Sequence, residues 1–164
     1  MTTDAQVYAG ATALGAVAGM RAMSAPALIS QVARRGQLAV EGSKLEFLNS
    51  TGAVSTTAVL AIGELIADKL PFIPARTDVG PLAGRAISGA LCGAVLCSAK
   101  KRSPWLGAFY GVLGALGATF AAYHLRRAAK ENLHIPDAVL AVAEDAVVAS
   151  SGLFIASRLR EEAA

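Results

Sequence analysis

Glu64 and Asp68 stand one helical turn apart in the stretch Gly63-Glu-Leu-Ile-Ala-Asp-Lys-Leu-Pro71, so a helix there carries both on one face. They follow an uncharged run that begins at Phe47. An acid so deep in an apolar segment is costly unless it faces water, a basic partner or a proton. The chemistry open to it is a proton or cation relay, or a neutral or salt-bridged packing lock. Lys69 and Arg85 stand near the end of the same span as partners for the acids. A second acidic pair, Glu144-Asp145, interrupts the last apolar run. Ala58-Val-Leu-Ala-Ile-Gly-Glu64 reappears there as Ala138-Val-Leu-Ala-Val-Ala-Glu144, which favours Glu144 as the inward member of the pair. Arg21 is the cation of the first apolar region. It can neutralise a carboxylate, bind an anionic headgroup, or snorkel to the interface.

The elements that must hold these residues are apolar helices. The chain has 164 residues, 54% of them hydrophobic and 16% charged. A soluble domain carries about 25% charged residues. Sixteen glycines and an aromatic share of only 5% suit helices that pack closely in lipid. The formal charge of +3 calls for no nucleic-acid partner, because the basic residues cluster between the apolar runs, where headgroups meet them. Their near-even division between the two sides leaves orientation, and dual topology, open.

Five long apolar runs and one short apolar helix can be read. The first runs from Gln6 to Met20, with Gly15 and Gly19 as a close-approach edge. A short helix with Pro26 near its start follows, closed by Arg34, Arg35 and Gly36. It is re-entrant, interfacial, or half of a broken helix. Residues 36–50 are mixed and predict an amphipathic surface helix. The run from Phe47 to about Leu70 is stopped by Pro71 and Pro74, and residues 72–82 form a connector. The third long run, Ala86 to Ala99, is bracketed by Arg85 and Lys100-Lys-Arg102. Ser103 to Tyr123 is uncharged, with Trp105 and Tyr123 near its ends as interfacial aromatics. The last run is Ile135 to Ser157.

These segments predict an all-α membrane protein, a single domain over residues 1–164 with five or six transmembrane helices. The Glu64/Glu144 match, together with Ala25-Pro26 against Ser103-Pro104, points to two inverted three-segment repeats, residues 6–82 and 84–160. The glycine edges predict a homodimer or a larger homo-oligomer in the lipid bilayer.

Three functions compete. The first is a transporter or channel for an ion or small solute, proton-coupled through Glu64, Asp68, Glu144 and Asp145, with Arg21, Lys69 and Arg85 as charge partners. The second is a non-catalytic scaffold or lipid-binding protein. The third, an intramembrane enzyme acting on lipid, is the weakest. His124 and His134 lie outside the clear spans, and no HExxH, GxSxG or phosphate-loop pattern occurs. No cofactor or metal is expected, and Cys92 and Cys97 read as small packing residues. A polar cavity lined by Glu64, Asp68 and Glu144 would mark transport or chemistry. A dry, salt-bridged interior would mark a scaffold.

Gly63 to Pro71, then Gly80-Pro-Leu-Ala-Gly84, with Gly19-Met-Arg21 early and Glu144-Asp145 late, resembles the signature of the DUF4126 family of small bacterial membrane proteins. Leu70 replaces the usual isoleucine, and Gly80 stands before Pro81 where the family has arginine. The resemblance spans most of the chain. It implies a multi-pass protein of the bacterial inner membrane and points to the same residues, but it implies no activity.

Overall fold

The computed structural model describes residues 3–40, 45–67, 78–133 and 135–163. Among them are six α-helices and no strand: α1 (Asp4–Met20), α2 (Ser24–Arg34), α3 (Thr51–Ala67), α4 (Val79–Ala99), α5 (Pro104–Leu133) and α6 (Asp137–Ala163). α1 opens with a capping box. Thr3 Oγ1 accepts from the Gln6 amide, and Gln6 Oε1 accepts from the Thr3 amide. Pro26 lies in the first turn of α2, where its missing N–H costs nothing. α2 is closed two residues past its last helical residue by Gly36, whose φ of 70° suits a residue without a Cβ. The Gly36 amide bonds Ala33 O and the Gln37 amide bonds Val32 O, the double closure of a glycine-stopped helix.

α1, α4 and α5 form the tight centre of the molecule. At several of their contacts, backbone meets backbone. A Cβ on Gly15 would overlap the Gly111 carbonyl, one on Gly19 the Ala115 carbonyl, and one on Gly93 the Gly107 carbonyl. Glycine here removes the side chain that would otherwise hold the helices apart. Tyr8 stacks on Tyr110 with ring centroids 5.2 Å apart, and Gly19 lies against Ala115, so α1 and α5 run the same way. Gly93 faces Gly107 and Gly89 faces Gly111, so α4 runs against α5.

α2 turns back beside α1. Arg21 meets α6 at Asp145, while Leu28 meets it at Gly152. α1 meets that same part of α6 around Ala13 and Ala16, beside Ser150 and Phe154. α1 and α2 are therefore a helical hairpin with its tip at residues 21–23.

Among the described residues, three helices are long and apolar enough to cross a membrane: Val79–Ala99, Pro104–Asn132 and Val139–Glu161. A shorter apolar helix, Thr51–Ala67, accompanies them. The α6 segment has a mean hydropathy of 1.8, and only 11% of it is buried within the protein, so most of it presents an apolar surface outward.

Two local expectations change. No amphipathic helix forms over the described part of residues 36–50. Leu38 and Val40 are buried with Ala39 exposed between them, the period of extended chain, and the only helical turn is a 3-10 turn at Glu46–Asn49. Residues 41–44 lie outside the described residues. Arg85 does not bracket the third run. α4 begins earlier, after Asp78, and Arg85 lies inside it at 4% exposure. Pro81 in the first turn is compatible with that early start.

Candidate functional site

The tip of the hairpin is where the charged residues gather. Arg21 adopts an extended conformation, φ −145° and ψ 112°, and ends α1 inside the protein. A helix broken there leaves carbonyls at one end and amides at the other without helical partners. Each side of the break is answered by a different element. Thr119 Oγ1 on α5 donates to Gly19 O at 2.8 Å. Ser88 Oγ on α4 donates to Ala22 O. Both hydroxyl residues are buried. At the start of α2, Met23 occupies the cap position without a capping side chain. Glu64 on α3 takes its place: Oε1 accepts from the Ala22 amide and Oε2 from the Met23 amide, each at 2.8 Å. A carboxylate also complements the positive end of the α2 dipole.

α6 supplies the fourth contact. Arg21 Nε donates to Asp145 Oδ1 at 2.8 Å, and its Nη2 reaches the same oxygen. The arginine side chain is 6% exposed and the aspartate 29%. Arg21 thus neutralises a carboxylate, the first of the roles open to it. A buried guanidinium needs such a partner, because removing one member of a buried pair leaves a costly charge.

Glu144 and Asp145 part ways, as neighbours roughly 100° apart on a helix must. Asp145 goes to the tip. Glu144, although it matches Glu64 in sequence, faces Arg126 on α5 at 3.5 Å. The structure thus brings together Arg21, Glu64 and Asp145 but leaves Glu144 apart. Arg85 lies one turn before Ser88 on the same face of α4. Asp68 and Lys69 lie outside the described residues. Thr57, which shares the Glu64 face, bonds its own helix at Ala53 O instead. Sequence reasoning missed Ser88 and Thr119. Their signal was weak: a hydroxyl within an uncharged span, which bonds its own helix as readily as a neighbour.

A groove of about 700 Å³ opens beside the tip, between α2, α3 and α6. Arg21 and Asp145 form part of its wall, which is otherwise mostly apolar. A smaller cleft of about 310 Å³ between α5 and α6 holds Arg126 and Glu144. Among the described residues, no three His, Cys, Asp or Glu side chains gather as a metal site would require.

The model of the family described as "Domain of unknown function (DUF4126)" matches residues 9–157, and the chain belongs to that family. No curated protein matches the chain. No solved structure matches it.

Proposed function

We propose that this DUF4126 protein is a small membrane transporter or channel for an ion or small solute, in which intramembrane carboxylates exchange protons as access changes. The observation that carries the reading is the convergence of Glu64 from α3 and Asp145 from α6 on residues 21–23. α3 and α6 pack far less against the molecule than α1, α4 and α5 pack on one another. Two lightly held helices are thus joined to a broken hairpin through groups that protonation can release. Discontinuous helices with ionisable partners within the bilayer are a recurring transporter arrangement. A scaffold made of small residues gains nothing from burying an arginine and interrupting a helix.

A specific observation favours the second reading, a scaffold or lipid-binding protein. The charges at the tip are internally paired, and the adjacent groove is largely apolar. On this reading the carboxylates are locks and never change their proton state.

The proposal includes two inverted repeats, residues 6–82 and 84–160. The antiparallel pair α4–α5, with Pro104 opening its second member, supports this by its likeness to the α1–α2 hairpin. It also includes a homodimer or larger homo-oligomer in the bacterial inner membrane, supported by exposed apolar side chains of α6 away from the groove, such as Val139 and Val142. A strictly monomeric mass in mild detergent and in nanodiscs would remove the oligomer.

Flux across liposomes decides between the two readings. Wild type, Glu64→Gln and Asp145→Asn are compared across candidate ions and a pH gradient, with Glu144→Gln as a test of the repeat. Proton-coupled transport requires wild-type flux that Glu64→Gln slows about tenfold or more and uncouples from pH. Wild-type flux that is indifferent to Glu64→Gln and Asp145→Asn in both rate and pH dependence would defeat the relay.

A further inference from the structure

We propose that the groove between α2, α3 and α6 binds an anionic glycerophospholipid, with one acyl chain along its length and the phosphate at Arg35. The walls include Leu28, Val32, Ile62, Leu65, Val148 and Leu153. Its charged lining residues are Arg21, Asp145 and Arg35. Arg21 and Asp145 neutralise one another at the hairpin tip. Arg35 stands just past the far end of α2 and is exposed. Among the described residues, no side chain bonds its guanidinium. The groove is thus apolar along its length, with the paired Arg21 and Asp145 at the inner end and the positive Arg35 at the outer end.

That polarity matches an anionic amphiphile. A small ion would leave the apolar walls uncovered, and an uncharged chain would leave Arg35 unanswered. Arginine suits phosphate because its planar fork donates two parallel hydrogen bonds. Gln31 lines the groove one turn before Arg35 on the same face and offers an amide to the ester region. The neighbouring Arg34 is engaged, donating to Thr51 Oγ1 at 2.9 Å. This ties the start of α3 to the same end and keeps the mouth in place. The eleven residues of α2 give the groove a floor of about 16 Å, enough for much of an acyl chain. α3 and α6 each pack on α2 but form no substantial interface with one another, so the groove opens sideways to the bilayer. A second copy of the chain would have to bring an acidic side chain to Arg35 to satisfy the same charge.

Binding of this lipid stands without transport. The test uses the full chain in detergent, titrated with phosphatidylglycerol or phosphatidylcholine and read by native mass spectrometry. Helix content is followed by circular dichroism. The expected result is one phosphatidylglycerol per chain, held more tightly than phosphatidylcholine. Arg35→Gln should weaken phosphatidylglycerol about tenfold and erase the preference, since it removes a charge-assisted contact. Leu153→Trp, on the exposed wall, should reduce both lipids. Arg160→Gln, an exposed arginine elsewhere on α6, should change neither. Equal affinity of wild type for the two lipids overturns the proposal, as does equal weakening by Arg35→Gln and Arg160→Gln. A lipid-free dimer that Leu153→Trp dissolves would assign the groove to a second copy. If Leu153→Trp fails to fold, the lipid preference of Arg35→Gln alone decides. Wild-type liposome flux together with equal wild-type affinity for the two lipids would leave the carrier standing and the lipid site refuted.

Discussion

The three central helices and the two outer ones are held by different physics. α1, α4 and α5 meet through glycine, with backbone against backbone and no room for a Cβ at Gly15, Gly93 or Gly111. α3 and α6 show many large apolar side chains to the outside, including Val59, Ile66, Val147 and Phe154. Their polar attachment to the centre runs through Glu64 and Asp145 at the hairpin tip, and through Glu144 to Arg126 on α5. In lipid, apolar surface gains little by leaving its surroundings, so close packing and hydrogen bonds must supply the association. The centre uses the first and the outer helices depend more on the second. Steric fit cannot be switched by a proton, whereas a carboxylate latch can.

The largest expected effect lies in the centre. Gly111→Leu places a side chain against the Gly89 carbonyl, which is backbone and cannot turn aside. Folded, monodisperse protein should be lost, as read by size-exclusion chromatography in detergent. Survival of Gly111→Leu with wild-type thermal stability would break the comparison at its stronger side.

The latch comes next. Asp145→Asn leaves Arg21 buried with a weakened partner and should cost about 3 kcal/mol. Arg21→Met combined with Asp145→Leu should recover much of that loss. A double-mutant cycle in thermal or denaturant unfolding measures it, and additive losses would mean that the pair does not couple. Glu64→Gln keeps the shape but gives up one of two charge-assisted acceptors, at a cost of about 1.5–3 kcal/mol. Its signature is local: the Ala22 and Met23 amides should exchange hydrogen faster while the amides of α5 keep their protection. Faster exchange throughout α5 would show that the latch and the centre are one unit.

The smallest effect belongs to the outer glycine. A Cβ at Gly63 on α3 meets nothing within 4 Å. Gly63→Ala should therefore raise stability by at most about 1 kcal/mol, through helix propensity alone. A loss comparable with that of Gly111→Leu would show that α3 packs as tightly as the centre.

Much of the helical content was legible because hydropathy and breakers are local. The uncharged run from Ser103 to Tyr123 reads as a helix, yet α5 continues through Arg126, Arg127 and Lys130 to Leu133. Nothing after Tyr123 breaks a helix, and charge marks the edge of lipid more clearly than the end of a helix. Arg85 misled for the same reason: a charge was taken as a boundary, although α4 buries it. Gly36 was read correctly as a stop, but Leu38 and Val40 then follow the two-residue period of extended chain over a stretch too short to announce itself.

By itself the sequence determined a membrane-embedded helical protein of the DUF4126 family, a proline-led short helix after Arg21, and a short set of acids and arginines worth attention. Those features follow from composition and from neighbours a few residues apart. Only the tertiary structure decided how the acids are used. Glu64 reaches amides at Ala22 and Met23, Asp145 takes Arg21, and Glu144 turns to Arg126. Ser88 and Thr119 join the tip from two further helices. The partners lie on separate helices, and a one-residue step along α6 turns a side chain by roughly 100°. Which acid meets which donor therefore depends on the packing and rotation of whole helices, a quantity that no local pattern encodes.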